Sequence, residues 1–283
     1  MLQKFCVLGN PIQHSLSPQI HLAFAKAMGI DLSYEKVLID FEKGSDSNHA
    51  ANDAFEKCVL NLIKKGYNGA NVTVPFKEIA FQMADVLDKS AQNANAANTL
   101  RFHSGKVRAF NTDGEGFLKD IQTRLKFEIE GKKVLLLGAG GAAKAIVYPL
   151  YKAKPKSFAL ANRTLEKART LAKNLPIQVV DFANLKNAPA FDLVINATTS
   201  SLTHAEIPLP NFNEGALFYD LFYAPKMQTL FLESAQKAGV KNISDGLGML
   251  IYQAALAFYI WHGKMPMVEA VYEMLRSELD QKK

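Results

Sequence analysis

Residues 138–143 read Gly-Ala-Gly-Gly-Ala-Ala, and their flanks restrict what the segment can be. Before it, Lys133 to Leu137 is a short apolar run, the pattern of a strand buried on both faces in a parallel sheet. After it the pattern turns helical. A strand, a glycine turn and a helix in that order form the phosphate-binding turn GxGxxA of a dinucleotide-binding unit. Gly138 permits the tight turn, Gly140 lets the backbone approach a pyrophosphate, and the small Ala143 lets helix and strand pack closely. The phosphates would meet the free N–H groups and the positive dipole end of the helix. Without a ligand the same residues are a plain strand-to-helix connection, so the rest of the chain has to decide.

At 283 residues the chain is long enough for two domains. Short apolar strands alternate with amphipathic helices throughout, which predicts an α/β fold. In the first part, strands are expected at Phe5 to Gly9, Tyr34 to Ile39 and Gly69 to Val74, with a hairpin from Asn98 to Phe110 around Ser104-Gly105. Helices are expected from Ser17-Pro18 to Gly29, over Asp53 to Lys65 and over Glu78 to Leu87. A helix from Asp113 to Leu125 leaves this region, and a second unit starts at Gly131. It carries strands at 133–137, 157–161, 178–180, 193–196 and 216–220, with helices over Leu165 to Lys173 and Thr229 to Ala238. Two final helices, from Leu247 and from Pro266, follow it.

The strand after the glycine turn should choose the cofactor. It ends in Asn162-Arg163-Thr164, with Lys167 one turn later and no acid at its tip. An acid there would bind a ribose 2′-hydroxyl; two cations accommodate a 2′-phosphate. NADP(H) is therefore favoured over NAD, although Arg163 and Lys167 also suit the solvated start of a helix.

A dinucleotide unit makes hydride transfer available without saying to what. In the first region, polar residues collect where strands meet helices. Ser15 and Ser17 are two apart and face one way in an extended segment, as a carboxylate would require, or Ser17 simply caps a helix. Asn71 and Thr73 share one face of a strand end, and Lys77 follows. Asn98-Thr99 and Asn111-Thr112-Asp113 come next, with Asp113 at a helix N-cap position. Far along the chain, Gln253 shares a helix face with Met249; if buried, it needs a partner, either substrate or backbone.

Composition excludes several classes. The net charge of +6 is scattered, and Lys64-Lys65 and Lys152 to Lys156 are short runs without interleaved aromatics, so no nucleic-acid partner is expected. The uncharged stretch Gly246 to Gly263 is only marginally long enough to span a bilayer and holds Gln253 and His262; a buried helix is the better reading, with no membrane partner. Gly9-Asn10-Pro11 cuts short the first apolar run, so no secretory leader is expected, and Cys6 and Cys58 read as reduced thiols of a cytoplasmic protein. No metal site is expected.

Taken in order, GNPIQHSLSP from Gly9, NVTVPFK from Asn71, AANT from Ala96, NTDG from Asn111, GAGGAAKA from Gly138, NRT from Asn162, INAT from Ile195, YDLFYAP from Tyr219 and DGLGMLIYQAA from Asp245 closely resemble the shikimate dehydrogenase family along nearly the whole chain. The resemblance implies two α/β domains with a cleft between them. One is a discontinuous substrate domain over 1–113 plus 245–283; the other is a Rossmann-type NADP-binding domain over 114–244. It implies reversible NADPH-dependent reduction of 3-dehydroshikimate to shikimate in aromatic amino-acid biosynthesis. Ser15 and Ser17 would hold the carboxylate, with Tyr223 near that end. Asn71, Thr73, Asn98, Asp113 and Gln253 would hold the ring hydroxyls, and Lys77 with Asp113 would be the catalytic pair. Gly138, Ala139, Gly140, Gly141, Ala142, Asn162, Arg163, Thr164 and Lys167 would bind NADP, with Leu221, Gly246 and Met249 about the nicotinamide. The departures are Lys167 where many relatives have Arg, Leu221 where some have Met, and Leu230 where Pro is common. A quinate or dual quinate/shikimate dehydrogenase is the nearest alternative, and a non-catalytic dinucleotide-binding regulator the alternative from another class. The partner is a small-molecule substrate; a homodimer is left open.

Overall fold

The structure, a computed structural model, describes residues 2–41, 47–200 and 207–281. The chain forms two compact units, Met1–Asp113 with Gln253–Val271, and Gly114–Tyr252 with Tyr272–Lys283.

The first unit is a mixed six-stranded sheet of β1 (Gln3–Gly9), β2 (Leu32–Leu38), β3 (Gly69–Val72), β4 (Val86–Leu87), β5 (Thr99–His103) and β6 (Lys106–Phe110), in the order β2-β1-β3-β5-β6-β4. Around it lie α1 (Ser17–Met28), α2 (Ser47–Lys64), α3 (Lys77–Met83) and α4 (Lys89–Ala94). The core on one face gathers Leu8, Phe55, Val59, Val72, Phe76 and Leu100, all buried. The hairpin forms as its turn residues dictate: Ser104 and Gly105 both take positive φ, 51° and 73°, which matches the twist of the paired strands. The chain leaves β1 for β2 on one side and returns to β3 on the other. The carboxyl ends of β1 and β3 are therefore a topological switch point, the usual ligand position in an open α/β sheet. The backbones are close there: a Cβ on Gly9 would stand 2.5 Å from the Thr73 methyl.

The helix expected over Glu78 to Leu87 is instead α3, then β4, then the unforeseen α4. Ala84 is extended, the Asp85 carboxylate accepts the Val107 N–H at 2.7 Å, and Val86 and Leu87 pair parallel with Arg108 and Ala109. Pairing with an edge strand outweighs local helix propensity, and Asp88 then caps α4 by accepting the Ser90 N–H at 3.0 Å. α2 starts at Ser47 rather than Asp53, which brings Ala51 under the same core.

The second unit is a six-stranded parallel sheet of β7 (Lys133–Leu137), β8 (Ser157–Ala161), β9 (Gln178–Val180), β10 (Phe191–Asn196), β11 (Phe212–Asp220) and β12 (Asn242–Asp245), in the order β12-β11-β10-β7-β8-β9. Its helices include α5 (Asp113–Lys119), which enters from the first unit, α6 (Gly141–Lys152), α7 (Leu165–Ala172) and α8 (Leu230–Lys237). Strand β12 has no counterpart among the expected elements. The helix expected from Asp113 to Leu125 widens into a π turn over Asp120–Arg124, closed by the Leu125 N–H on the Asp120 carbonyl at 3.0 Å. Asp120 is fully buried there. Its carboxylate accepts from the Arg124 guanidinium and, at 2.8 Å, from the Tyr219 hydroxyl. The last helices are α9 (Leu247–His262), within which the two units divide, and α10 (Glu269–Gln281), which begins three residues after Pro266. Arg276 of α10 pairs with the buried Asp245 at the end of β12. Among the described residues no helix is long and apolar enough to cross a membrane.

Candidate active site

In the first unit, Lys77 opens α3 and Asp113 opens α5, and their side chains meet with Nζ 2.7 Å from Oδ2. The Asp113 carboxylate is nearly buried while the Lys77 side chain remains about a third exposed, 11% against 32%. Asp113 therefore does more than begin a helix: its second oxygen accepts from Asn98 Nδ2 at 2.8 Å. The Asn98 amide is held from several sides. Its Oδ1 accepts the Thr112 N–H at 2.9 Å, and its Nδ2 also stands 3.1 Å from Gln253 Oε1. The partner that the buried Gln253 requires is thus a side chain 155 residues away, with the Thr112 hydroxyl at 3.4 Å as a second.

Asn71 is buried at the end of β3. Its Oδ1 accepts the Tyr34 hydroxyl at 2.6 Å, and its Nδ2 donates to the Asn98 carbonyl at 3.2 Å and the Thr99 hydroxyl at 3.1 Å. Thr73, half-buried, follows on the switch-point side. Ser17 is the first residue of α1 rather than its cap; the cap position is Leu16, without a side-chain hydrogen bond. The Ser17 hydroxyl instead accepts from Ser15 Oγ at 3.2 Å, so the two hydroxyls sit together at the mouth of β1. The unit thus brings together a charged pair that can give or take a proton, neutral amides and hydroxyls suited to a polyol, and a pair of serine hydroxyls.

In the second unit, a cavity of about 360 Å³ lies at the switch point between β7 and β10. It is lined by Gly138, Ala139, Gly140, Asn162, Arg163, Thr164 and Lys167, and by Thr198 and Ser200 after β10. Gly138 has φ +108°, and a Cβ there would stand 2.8 Å from the Ala197 carbonyl, so the turn needs glycine on both counts. At Gly140 and Gly141 a Cβ would meet nothing within 4 Å, which leaves the turn and the amino end of α6 open to a phosphate. Ala142 follows, exposed, in the first turn. Asn162 is fastened to the Thr164 carbonyl at 2.8 Å, while Arg163 and Lys167 are exposed. Among the described lining residues there is no carboxylate. The cavity therefore fits an anionic dinucleotide, with the exposed Arg163 and Lys167 suited to meet an additional phosphate.

Leu221 and Gly246 touch through their backbones: a Cβ on Gly246 would collide with the Leu221 carbonyl. The Asn196–Asp220 pair (3.1 Å) and the Thr229 hydroxyl on Asp220 (2.7 Å) brace this end of the sheet. Met249 is partly buried against the core of the unit. Tyr223 is half-buried, stacks on Phe222, and has its phenol pushed above the usual range by burial, then by Asp245. Thr99 and Thr112 stand in polar segments that the sequence marks, and Thr198 in the INAT motif, but the pattern gives none of them a role; Tyr34 and Ser200 are not among the candidates that the sequence pattern singles out.

Three family profiles match the chain. "Shikimate dehydrogenase substrate binding domain" covers residues 7–100, "Shikimate / quinate 5-dehydrogenase" covers 120–206, and "Shikimate 5'-dehydrogenase C-terminal domain" covers 246–276. A shikimate dehydrogenase (NADP(+)) of Legionella pneumophila is 44% identical over 98% of this chain and 100% of its own length. Among solved structures, an Ael1 enzyme from Pseudomonas putida is 37% identical, with a TM-score of 0.83 over 96% of this chain and 98% of its own. The shikimate 5-dehydrogenase of Thermus thermophilus, in complex with NADP(H) and shikimate, is 30% identical, with a TM-score of 0.82 over 98% and 100%. With a matching profile in each part of the chain and full-length identity of this order, the chain belongs to the shikimate dehydrogenase family.

Proposed function

We propose that this chain catalyses the reversible NADPH-dependent reduction of 3-dehydroshikimate to shikimate, as a cytoplasmic enzyme acting on a small molecule with no nucleic-acid or membrane partner. The observation that carries the reading is the Lys77–Asp113 pair at 2.7 Å, bound through Asn98 to Gln253 and walled by amides and hydroxyls. A site that only bound a dinucleotide has no use for it. Residues 1–113 with 245–283 are read as the substrate-binding domain and 114–244 as the NADP-binding domain.

Bound NADPH supplies the hydride for the ketone carbon. The carbonyl oxygen gains negative charge as it becomes an alkoxide, and the Lys77 ammonium stabilises it and delivers the proton. Asp113 Oδ2 aims the ammonium and Oδ1 stays tied to Asn98, so the proton donor is oriented before substrate arrives. In the oxidative direction Lys77 takes the hydroxyl proton. Ser15 and Ser17 hold the carboxylate, and Asn71, Thr73, Asn98, Asp113 and Gln253 hold the hydroxyls; Tyr223 is kept as a substrate residue on the family resemblance alone. Gly138, Ala139, Gly140, Gly141 and Ala142 receive the pyrophosphate, Asn162, Arg163, Thr164 and Lys167 the adenosine 2′-phosphate, and Leu221, Gly246 and Met249 the nicotinamide.

The test is NADP reduction followed with shikimate, with quinate or with neither, and separately with NAD. Turnover with shikimate and NADP alone is expected. Faster turnover of quinate with NAD would move the chain to the alternative activity. No turnover by folded protein that binds NADP would leave only the binding reading.

A further inference from the structure

Four buried side chains form a directed line of hydrogen bonds that ends on Asp113. Two backbone groups set its direction. The Asn98 carbonyl can only accept, so the Asn71 atom facing it is Nδ2, and Asn71 Oδ1 must face the Tyr34 hydroxyl, which donates at 2.6 Å. The Thr112 N–H can only donate, so the Asn98 atom facing it is Oδ1, and Asn98 Nδ2 must face Asp113. The Thr99 hydroxyl lies between them. It receives a proton from Asn71 Nδ2 at 3.1 Å and therefore gives its own to Asn98 Oδ1 at 2.9 Å. Every donor points the same way, from Tyr34 through Asn71, Thr99 and Asn98 to the carboxylate.

The line begins among aromatic rings, with the Ser17 hydroxyl also hydrogen-bonded to the Tyr34 phenol. The Tyr34 ring lies 4.4 Å from the His21 ring at an interplanar angle of 7°, and Phe258 and Trp261 pack around the pair. Burial lowers the His21 imidazole to about 3, so a neutral ring backs the tyrosine.

We infer that Tyr34 and Thr99 are positioning residues that lock the Asn71 and Asn98 amides in one orientation, so that Asn98 donates to Asp113 and Asn71 offers a bound hydroxyl only an acceptor. The inference rests on the substrate roles proposed above for Asn71 and Asn98. Both Asn71 hydrogens are committed to Asn98 and Thr99, so Oδ1 is the Asn71 atom through which a ligand hydroxyl would be met, as an acceptor.

The experiment uses the full chain with Tyr34→Phe, Thr99→Val and Thr99→Ser. Loss of one buried hydrogen bond should raise the KM for shikimate about tenfold in Tyr34→Phe and Thr99→Val. The KM for NADP should stay within about threefold of the parent chain in both, kcat should do so in Tyr34→Phe, which touches Asn71 alone, and Thr99→Ser should restore the parent constants. A role in stability alone lowers Tm and leaves KM where it was, and that result overturns the inference. The side-chain amide protons of Asn71 and Asn98, followed by NMR without ligand, give a readout independent of the substrate. Their exchange with water should quicken about tenfold in Tyr34→Phe, and unchanged exchange would also overturn it. If the parent chain fails to oxidise shikimate, the proposed function falls while amide exchange still decides the positioning role.

Discussion

Replacing Asp113 with asparagine tests the catalytic pair with almost no change of shape. The carboxylate accepts on both oxygens, from Lys77 at 2.7 Å and from Asn98 at 2.8 Å. An amide has one accepting end, so whichever way it turns it sets an NH2 against a donor. Asn98 cannot turn to relieve this, because its Oδ1 is needed by the Thr112 N–H. If the amide oxygen stays on Asn98, Lys77 loses a charge-assisted bond that is ordinarily about 1.5–3 kcal/mol. Water reaches the lysine, whose side chain is 32% exposed, and recovers part of that. We therefore expect about 2 kcal/mol on the barrier, or roughly thirtyfold in kcat. The assay is the initial rate of NADPH formation from shikimate at saturating cofactor, for Asp113→Asn, Lys77→Met and both together. Residues acting as one unit do not add, so the double variant should be no slower than the slower single. A kcat within about twofold of the parent in Asp113→Asn, or single effects that multiply in the double, would refute the pairing.

Arg163→Ala should raise the KM for NADPH about tenfold and narrow the preference over NADH, because one cation facing the 2′-phosphate is lost; an unchanged cofactor preference removes Arg163 from the site. Gly138→Ala and Gly140→Ala should separate folding from binding. The first forces φ +108° and a contact with the Ala197 carbonyl and should lower Tm by several degrees. The second meets nothing within 4 Å and should keep Tm while weakening NADP, read by fluorescence titration; equal Tm losses would contradict this reading of the turn. Burial lowers His21 from 6.5 to about 3. The unfolded chain therefore binds a proton that the native chain refuses between those values, and stability falls as pH drops through that window, by about 1.4 kcal/mol per unit. Urea unfolding at pH 6.5 and pH 5 should show this acid loss in the parent and a smaller one in His21→Phe; parallel losses would assign it to other groups.

Features that depend only on neighbours along the chain can be read from the residues alone. The glycine turn between β7 and α6, the Ser104-Gly105 hairpin and the basic tip after β8 follow from φ requirements, strand periodicity and local charge, and each is legible within about ten residues. The order of the motifs carried the family. The partners of most buried polar side chains come from far along the chain. Ser17 and Asp113 both sit where a helix begins, and local rules make caps of them. The Ser17 hydroxyl meets its near neighbour Ser15 instead, and only the fold of the first unit, which brings Lys77 to Asp113 from 36 residues away, gives the carboxylate its partner. Gln253 needed a partner that no local rule could name, since Asn98 is 155 residues away. The helix expected to run from Glu78 to Leu87 broke because β6 offered backbone partners that a single-segment pattern cannot see. Pairing and burial join residues far apart in sequence, and a buried polar group must be satisfied by whatever the fold brings to it.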